Sequence, residues 1–306
     1  MSLQSFLFVA IDKLYNPFQN ERKMTKFKDV EFDIKTDIVY DTSSPEACKL
    51  DTYRVKGQSG KKLPVLFYIH GGGFVAGDKH YRRALSRWSA VQGYFVVNVN
   101  YGLCPEYQCP VPHKQLVAAL NWVGANAEKL GLDLDRMIVS GDSAGGYYGA
   151  MLACICLSKS LQDKLGVHTD LKFGGAVLNC GIYDVATALK NKYPFDLGGK
   201  LLKDFAGIGK DEIDSYEWKD LCSVLPFVTE EFPVSFITHA QKDIFCGGQA
   251  DGLMKLLADK GVHVEEFHST SLIDNHCFSL NWKSKAARKN NELTADFMKR
   301  FAEHKI

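Results

Sequence analysis

Met137-Ile138-Val139-Ser140-Gly141-Asp142-Ser143-Ala144-Gly145-Gly146 joins an apolar run to a run of small residues. Residues 136–140 read as a strand buried on both faces, and residues 144–164 as a largely apolar helix. Between them sits the pattern G-x-S-x-G. A turn from a buried strand into a helix must be sharp, and glycine at 141 and 145 relieves the close approach of the two elements. Ser143 is then expected at a strained, exposed apex near the positive end of the helix, where a serine hydroxyl can act as a nucleophile. The five residues alone also fit a plain glycine-rich turn. Their flanks select the nucleophile.

Outward from this turn the chain alternates. Strand-like stretches fall at residues 27–40, 47–55, 63–69, 94–99, 173–179, 234–238 and 262–267, and helical ones at 80–90, 114–130, 249–260 and 291–303. Strands separated repeatedly by helices predict an α/β fold built on a mostly parallel sheet of about eight strands. Residues 184–228 break the rhythm with mixed aromatics and Gly198-Gly199. They read as an insertion placed where a cap or pocket wall would sit. Residues 3–15 read as an amphipathic helix, because no basic residue precedes the apolar run as a signal peptide requires. One catalytic domain over residues 1–306 is expected, with no internal repeat.

Composition narrows the function. The 306 residues are 46% hydrophobic and 24% charged, with a net charge of +1. That supplies a sizeable core and no basic block, so neither nucleic acid nor an anionic membrane is an expected partner. No apolar stretch is long enough to span a bilayer. The nine cysteines are odd in number and form no C-x-x-C pair. They suggest neither a disulfide scaffold nor a zinc site, and point to a reducing compartment, the cytoplasm.

A serine nucleophile needs donors for the oxyanion, a base and an orienting acid. Ile69-His70-Gly71-Gly72-Gly73-Phe74 follows the strand at 63–69. It lacks the G-K-[ST] and G-x-G-x-x-G spacings of phosphate and dinucleotide loops. Gly72, Gly73 and Ala144 are therefore the expected oxyanion donors through their N–H groups, with His70 a structural residue. In a fold of this kind the order is serine, acid, histidine. Of the histidines beyond Ser143, His263 reads as part of the last strand and His304 as part of the terminal helix. His276 lies in the loop Ser271-Leu-Ile-Asp-Asn-His276-Cys-Phe278 and is the expected base. Asp243, in a loop after the strand at 234–238, is the expected acid. Asp251 falls inside the next helix, and Asp274 is too near His276 to act independently.

With these motifs assembled, the sequence resembles the hormone-sensitive-lipase-like group of α/β-hydrolases, which includes bacterial and archaeal short-chain carboxylesterases. His70-Gly71-Gly72-Gly73 matches that group's H-G-G-G, and Gly141-Asp142-Ser143-Ala144-Gly145 its G-D-S-A-G. Tyr101-Gly-Leu-Cys-Pro-Glu106 is similar to its Y-R-L-A-P-E, Asp243-Ile-Phe245 to its D-P-L and His276-Cys-Phe278 to its H-G-F. Gly102 removes the arginine charge near Glu106, and Cys277 in place of glycine is expected to crowd the histidine loop. The resemblance implies an α/β-hydrolase fold with a small helical cap from residues 1–25 and 184–228. Phe74, Tyr183, Tyr193, Phe195 and Phe205 are candidate pocket walls.

The expected activity is hydrolysis of small or short-chain acyl esters through an acyl-enzyme, with no cofactor and no metal. An aryl-formamidase or a sugar or xylan acetyl esterase would use the same three residues, although a third glycine at position 73 favours the carboxylesterase. A non-catalytic binding protein of the same fold and a dinucleotide-binding oxidoreductase are more distant alternatives. The expected partner is a small ester substrate, and a homodimer stays open.

Overall fold

The computed structural model describes residues 4, 6–10, 29–58, 62–188 and 196–306. Eight strands form one sheet: β1 (Phe32–Val39), β2 (Lys49–Val55), β3 (Leu63–Ile69), β4 (Phe95–Val99), β5 (Leu132–Asp142), β6 (Gly175–Asn179), β7 (Val234–Ala240) and β8 (Val264–Ser269). Their order is β1-β2-β4-β3-β5-β6-β7-β8. β2 runs antiparallel to both its neighbours, and every pair from β4 to β8 is parallel. The predicted α/β architecture and strand number are both present. Every residue of β3, β4 and β6 is buried, as continuous apolar runs covered on both faces require.

Two cores sit on opposite faces. Helices α1 (Arg83–Val91) and α8 (Lys285–Ala302) cover one, where Trp88 and Phe297 pack with Leu66, Val96 and Phe236. Helices α2 (Val111–Leu130), α3 (Ala144–Leu157) and α7 (Gln249–Asp259) cover the other. α3 buries thirteen of its fourteen residues, as a helix that is apolar all round must. Two more helices, α5 (Val185–Ala188) and α6 (Leu197–Ala206), lie between β6 and β7 with three short 3-10 turns. Among the described residues no helix is long and apolar enough to cross a membrane.

Some boundaries differ from expectation. The helix expected over residues 144–164 is two helices, because Ser158 adopts an extended backbone (φ −115°, ψ 102°). Its Oγ accepts from Leu161 N–H at 3.3 Å and caps α4 (Lys159–Leu165). The last helix starts at Lys285, six residues before position 291, because Ser284 caps it through Ala287 N–H. His263 precedes β8 and His304 follows α8 in a turn, so neither lies inside the element expected for it. Of the expected N-terminal helix, residues 4 and 6–10 are helical and the remainder lies outside the described residues.

Candidate active site

β5 ends at Asp142 and α3 begins at Ala144, so the whole reversal falls on Ser143. Ser143 holds φ 55° and ψ −120°, a left-handed conformation that a residue with a side chain adopts only when its surroundings enforce it. The enforcement is visible. Ser143 N–H donates to Asn179 O at the end of β6 (2.8 Å), and Ser143 O accepts from Gly146 N–H (2.9 Å) and Tyr147 N–H (3.2 Å). A Cβ on Gly145 would collide with the Ile69 carbonyl, so the helix can pass β3 only with glycine there.

Beneath the turn, Asp142 is buried and receives three hydrogen bonds. Tyr68 Oη donates at 2.6 Å, and Arg82 donates from Nε (2.9 Å) and Nη2 (2.7 Å). Burial alone would raise the Asp142 carboxyl, but the Arg82 charge and these bonds outweigh it and hold the group below the usual carboxylate range. The sequence offered no sign of this buried pair, because Arg82 precedes Asp142 by 60 residues.

Three chain-distant loops bring Ser143, His276 and Asp243 together. Ser143 Oγ lies 2.7 Å from His276 Nε2, and His276 Nδ1 lies 2.9 Å from both Asp243 oxygens. A carboxylate accepts only, so Nδ1 carries the ring proton and Nε2 is left to accept from the serine hydroxyl. The Asp243 side chain is 2% exposed and that of His276 12%. Burial pushes the Asp243 carboxyl up. His276 and the backbone N–H groups of Cys246 (2.8 Å) and Phe245 (2.9 Å) oppose this and leave it below the ordinary range. Asp243 is thus ionised and locked beside the imidazole.

The histidine loop is braced by two neighbours. Asp274 accepts from Ser269 Oγ (2.7 Å) and Ser284 Oγ (3.2 Å), pinning the loop to β8 and α8. Asn275 Oδ1 accepts from Ile244 N–H (3.1 Å) and from His276 N–H (2.7 Å), joining the acid loop to the base loop. Cys277 takes a left-handed backbone (φ 53°). The crowding expected from it does not displace the loop, since His276 keeps both partners.

Gly73, Ser143 and Ala144 line a cavity of about 680 Å³, counted to include its open mouth. Gly72 is not among its lining residues. Gly72 holds φ 136°, and a Cβ there would collide with the Ala76 carbonyl. Among the described residues, the N–H groups of Gly72, Gly73 and Ala144 have no backbone acceptor. His70 is buried, stacks on Tyr101 at 4.6 Å and contacts Gly71 O through Nδ1 at 2.9 Å. Burial pushes its imidazole below the usual range. It holds the loop and does not touch Ser143 Oγ.

The cavity wall is apolar. Phe74 and Phe205 line it as expected. Tyr183 does not line it and is buried elsewhere in the core, while Tyr193 and Phe195 lie outside the described residues. Phe8, Leu202 and Phe245 also contribute and were not anticipated. Two sets of donor atoms surround the imidazole: Cys180 with Cys277, and Asp243 with Cys246.

The BD-FAE family model matches residues 50–252. Over 131 residues the chain is 37% identical to tuliposide A-converting enzyme 2 of Tulipa gesneriana, covering 38% of this chain and 34% of that protein. Over 92 residues it is 45% identical to carboxylesterase NlhH of Mycobacterium tuberculosis, covering 30% of this chain and 29% of that protein. The matched stretch therefore spans about a third of the length of these curated relatives. Among solved structures, esterase B from Lactobacillus rhamnosis superposes with a TM-score of 0.78 at 21% identity, covering 99% of this chain and 98% of that one. A bacterial heroin esterase superposes with a TM-score of 0.73 at 20% identity, covering 96% and 90%. At these identities the likeness speaks for the fold.

Proposed function

The chain belongs to the BD-FAE family, and from that premise we propose that it is a serine carboxylic-ester hydrolase acting on small or short-chain acyl esters. The observation that carries the reading is the relay Ser143 Oγ to His276 Nε2 at 2.7 Å and His276 Nδ1 to Asp243 at 2.9 Å, opening on an apolar cavity. The mycobacterial carboxylesterase it resembles over 92 residues supports the same class. The full match of both motifs supports placement in the hormone-sensitive-lipase-like branch.

In this reading His276 Nε2 takes the Ser143 proton as Oγ attacks the ester carbonyl. The N–H groups of Gly72, Gly73 and Ala144 hold the oxyanion, with the N-terminus of α3 adding its positive end. His276 then passes the proton to the departing alcohol. Water, activated by the same imidazole, releases the acid and restores Ser143. Asp243 keeps the imidazole in the tautomer both steps need.

We read residues 1–306 as one catalytic domain whose cap comes from residues 1–25 and 184–228. Phe8, Val185, Leu197 and Phe205 on the cavity wall support that division. Nine free, buried thiols support a cytoplasmic site of action. A net charge of +1 gives no reason to add nucleic acid as a partner.

The test is a panel of p-nitrophenyl esters from acetate to decanoate, run beside formyl- and acetyl-amides. Turnover is expected on the short esters and should fall beyond about six to eight acyl carbons, in keeping with a small apolar cavity. S143A should abolish it. Full activity in S143A overturns the reading, and preference for the amides moves it to an amidase.

A further inference from the structure

We propose that Cys180, Cys277 and His276 form a binding site for a thiophilic divalent cation, and that its occupancy silences hydrolysis. The two Sγ atoms and one imidazole nitrogen all lie within 4.8 Å of one another, with both cysteines buried and the His276 side chain 12% exposed. Cys180 follows β6, and Cys277 follows His276 in its loop, so the site joins two loops beside the relay.

Two thiolates and an imidazole are the donor set that zinc and its softer relatives prefer. Zinc–sulfur bonds of about 2.3 Å in a tetrahedral site set the sulfurs about 3.8 Å apart. The three donor atoms, all within 4.8 Å of one another, would have to draw in toward that spacing for an ion to sit between them. Binding would release both thiol protons to solvent, leaving two thiolates against one dication and no net charge to bury. The other set around the imidazole, Asp243 with Cys246, offers one sulfur and an oxygen already bonded to backbone N–H groups. A soft ion selects the dithiol.

Once coordinated, the His276 nitrogen is taken from the relay. This second half of the proposal rests on the esterase reading, whereas metal binding itself does not.

The experiment titrates chelator-stripped full-length protein with Cd2+. It follows the ultraviolet cadmium–thiolate band and, separately, hydrolysis of p-nitrophenyl butyrate. One ion per chain should produce the band and cut hydrolysis by more than about 10-fold, reversibly with chelator. C180S and C277G should keep metal-free hydrolysis, lose the band and tolerate at least about 10-fold more Cd2+. C277S replaces C277G if the latter does not fold. Absence of the band in the wild type overturns the proposal. So does a band that C246S removes while C180S and C277G retain it. A cysteine-dependent band in a chain that hydrolyses no ester upholds the metal site and overturns the functional reading instead.

Discussion

At the residue scale, the decisive atom is the proton on His276 Nδ1. Asp243 accepts it with both oxygens at 2.9 Å and donates nothing in return. Asp243→Asn puts an amide there, whose N–H2 group can turn toward Nδ1 and drive the proton to Nε2. Nε2 can then no longer accept from Ser143. D243N is expected to lower kcat by about 10³- to 10⁴-fold with KM and thermal midpoint little changed; steady-state kinetics beside a melting curve would show it. An unchanged kcat would remove Asp243 from the relay. Gly72→Ala should act through backbone position. Its φ of 136° and the Ala76 carbonyl leave no room for a Cβ, so the glycine loop, proposed to hold the oxyanion, must shift. A kcat loss of about 100-fold is expected, as for one misplaced donor. The three relay residues were legible in the sequence because chemistry restricts their type and strand order restricts their place. Phe8 and Phe245 were not. Each is one apolar residue among many, and only the closed fold brings both to the same wall.

At the scale of elements, the strand-to-helix turn stands on a buried ion pair. The Arg82 and Asp142 side chains are 4% and 1% exposed, so removing Arg82 takes the opposite charge from a carboxylate held in a low-dielectric core. Arg82→Met is expected to cost about 3–5 kcal/mol by urea denaturation, and hydrolysis should fall with it, because Asp142 immediately precedes Ser143. A loss under about 1 kcal/mol would mean that Asp142 is protonated in the variant or reached by water. The break between α3 and α4 shows the limit of pattern reading. Residues 144–164 keep an apolar character through position 157, and nothing in that periodicity forbids a continuous helix. Ser158 stops it by offering its hydroxyl to Leu161 N–H, a local competition that periodicity does not score. Ser158→Ala should therefore cost about 1 kcal/mol.

At the scale of the whole molecule, the sheet divides the interior, and the face bearing α2 and α3 holds a histidine that the chemistry does not use. His113 on α2 is buried, with Nε2 2.8 Å from Tyr147 Oη on α3. The Tyr147 hydroxyl donates its one proton to Leu221 O, so His113 must donate from Nε2. Burial pushes its imidazole down to about 3 from the ordinary 6.5. The sign follows. Below pH 6.5 the unfolded chain binds a proton that the folded chain refuses, so stability falls with pH until the folded group itself titrates near 3. One such proton is worth about 1.4 kcal/mol per pH unit. His70, buried and shifted the same way, acts in the same direction. Asp142 and Asp243, shifted below their ordinary range, contribute only further into acid, as pH falls through their folded values. Urea midpoints measured from pH 7.5 to 5 should thus decline steeply for the wild type. His113→Gln keeps an N–H for Tyr147 and has nothing to protonate, so its decline should be shallower by one proton's slope. Parallel curves for the two proteins would show that His113 takes up its proton in the folded state and that the α2–α3 interface opens to admit it.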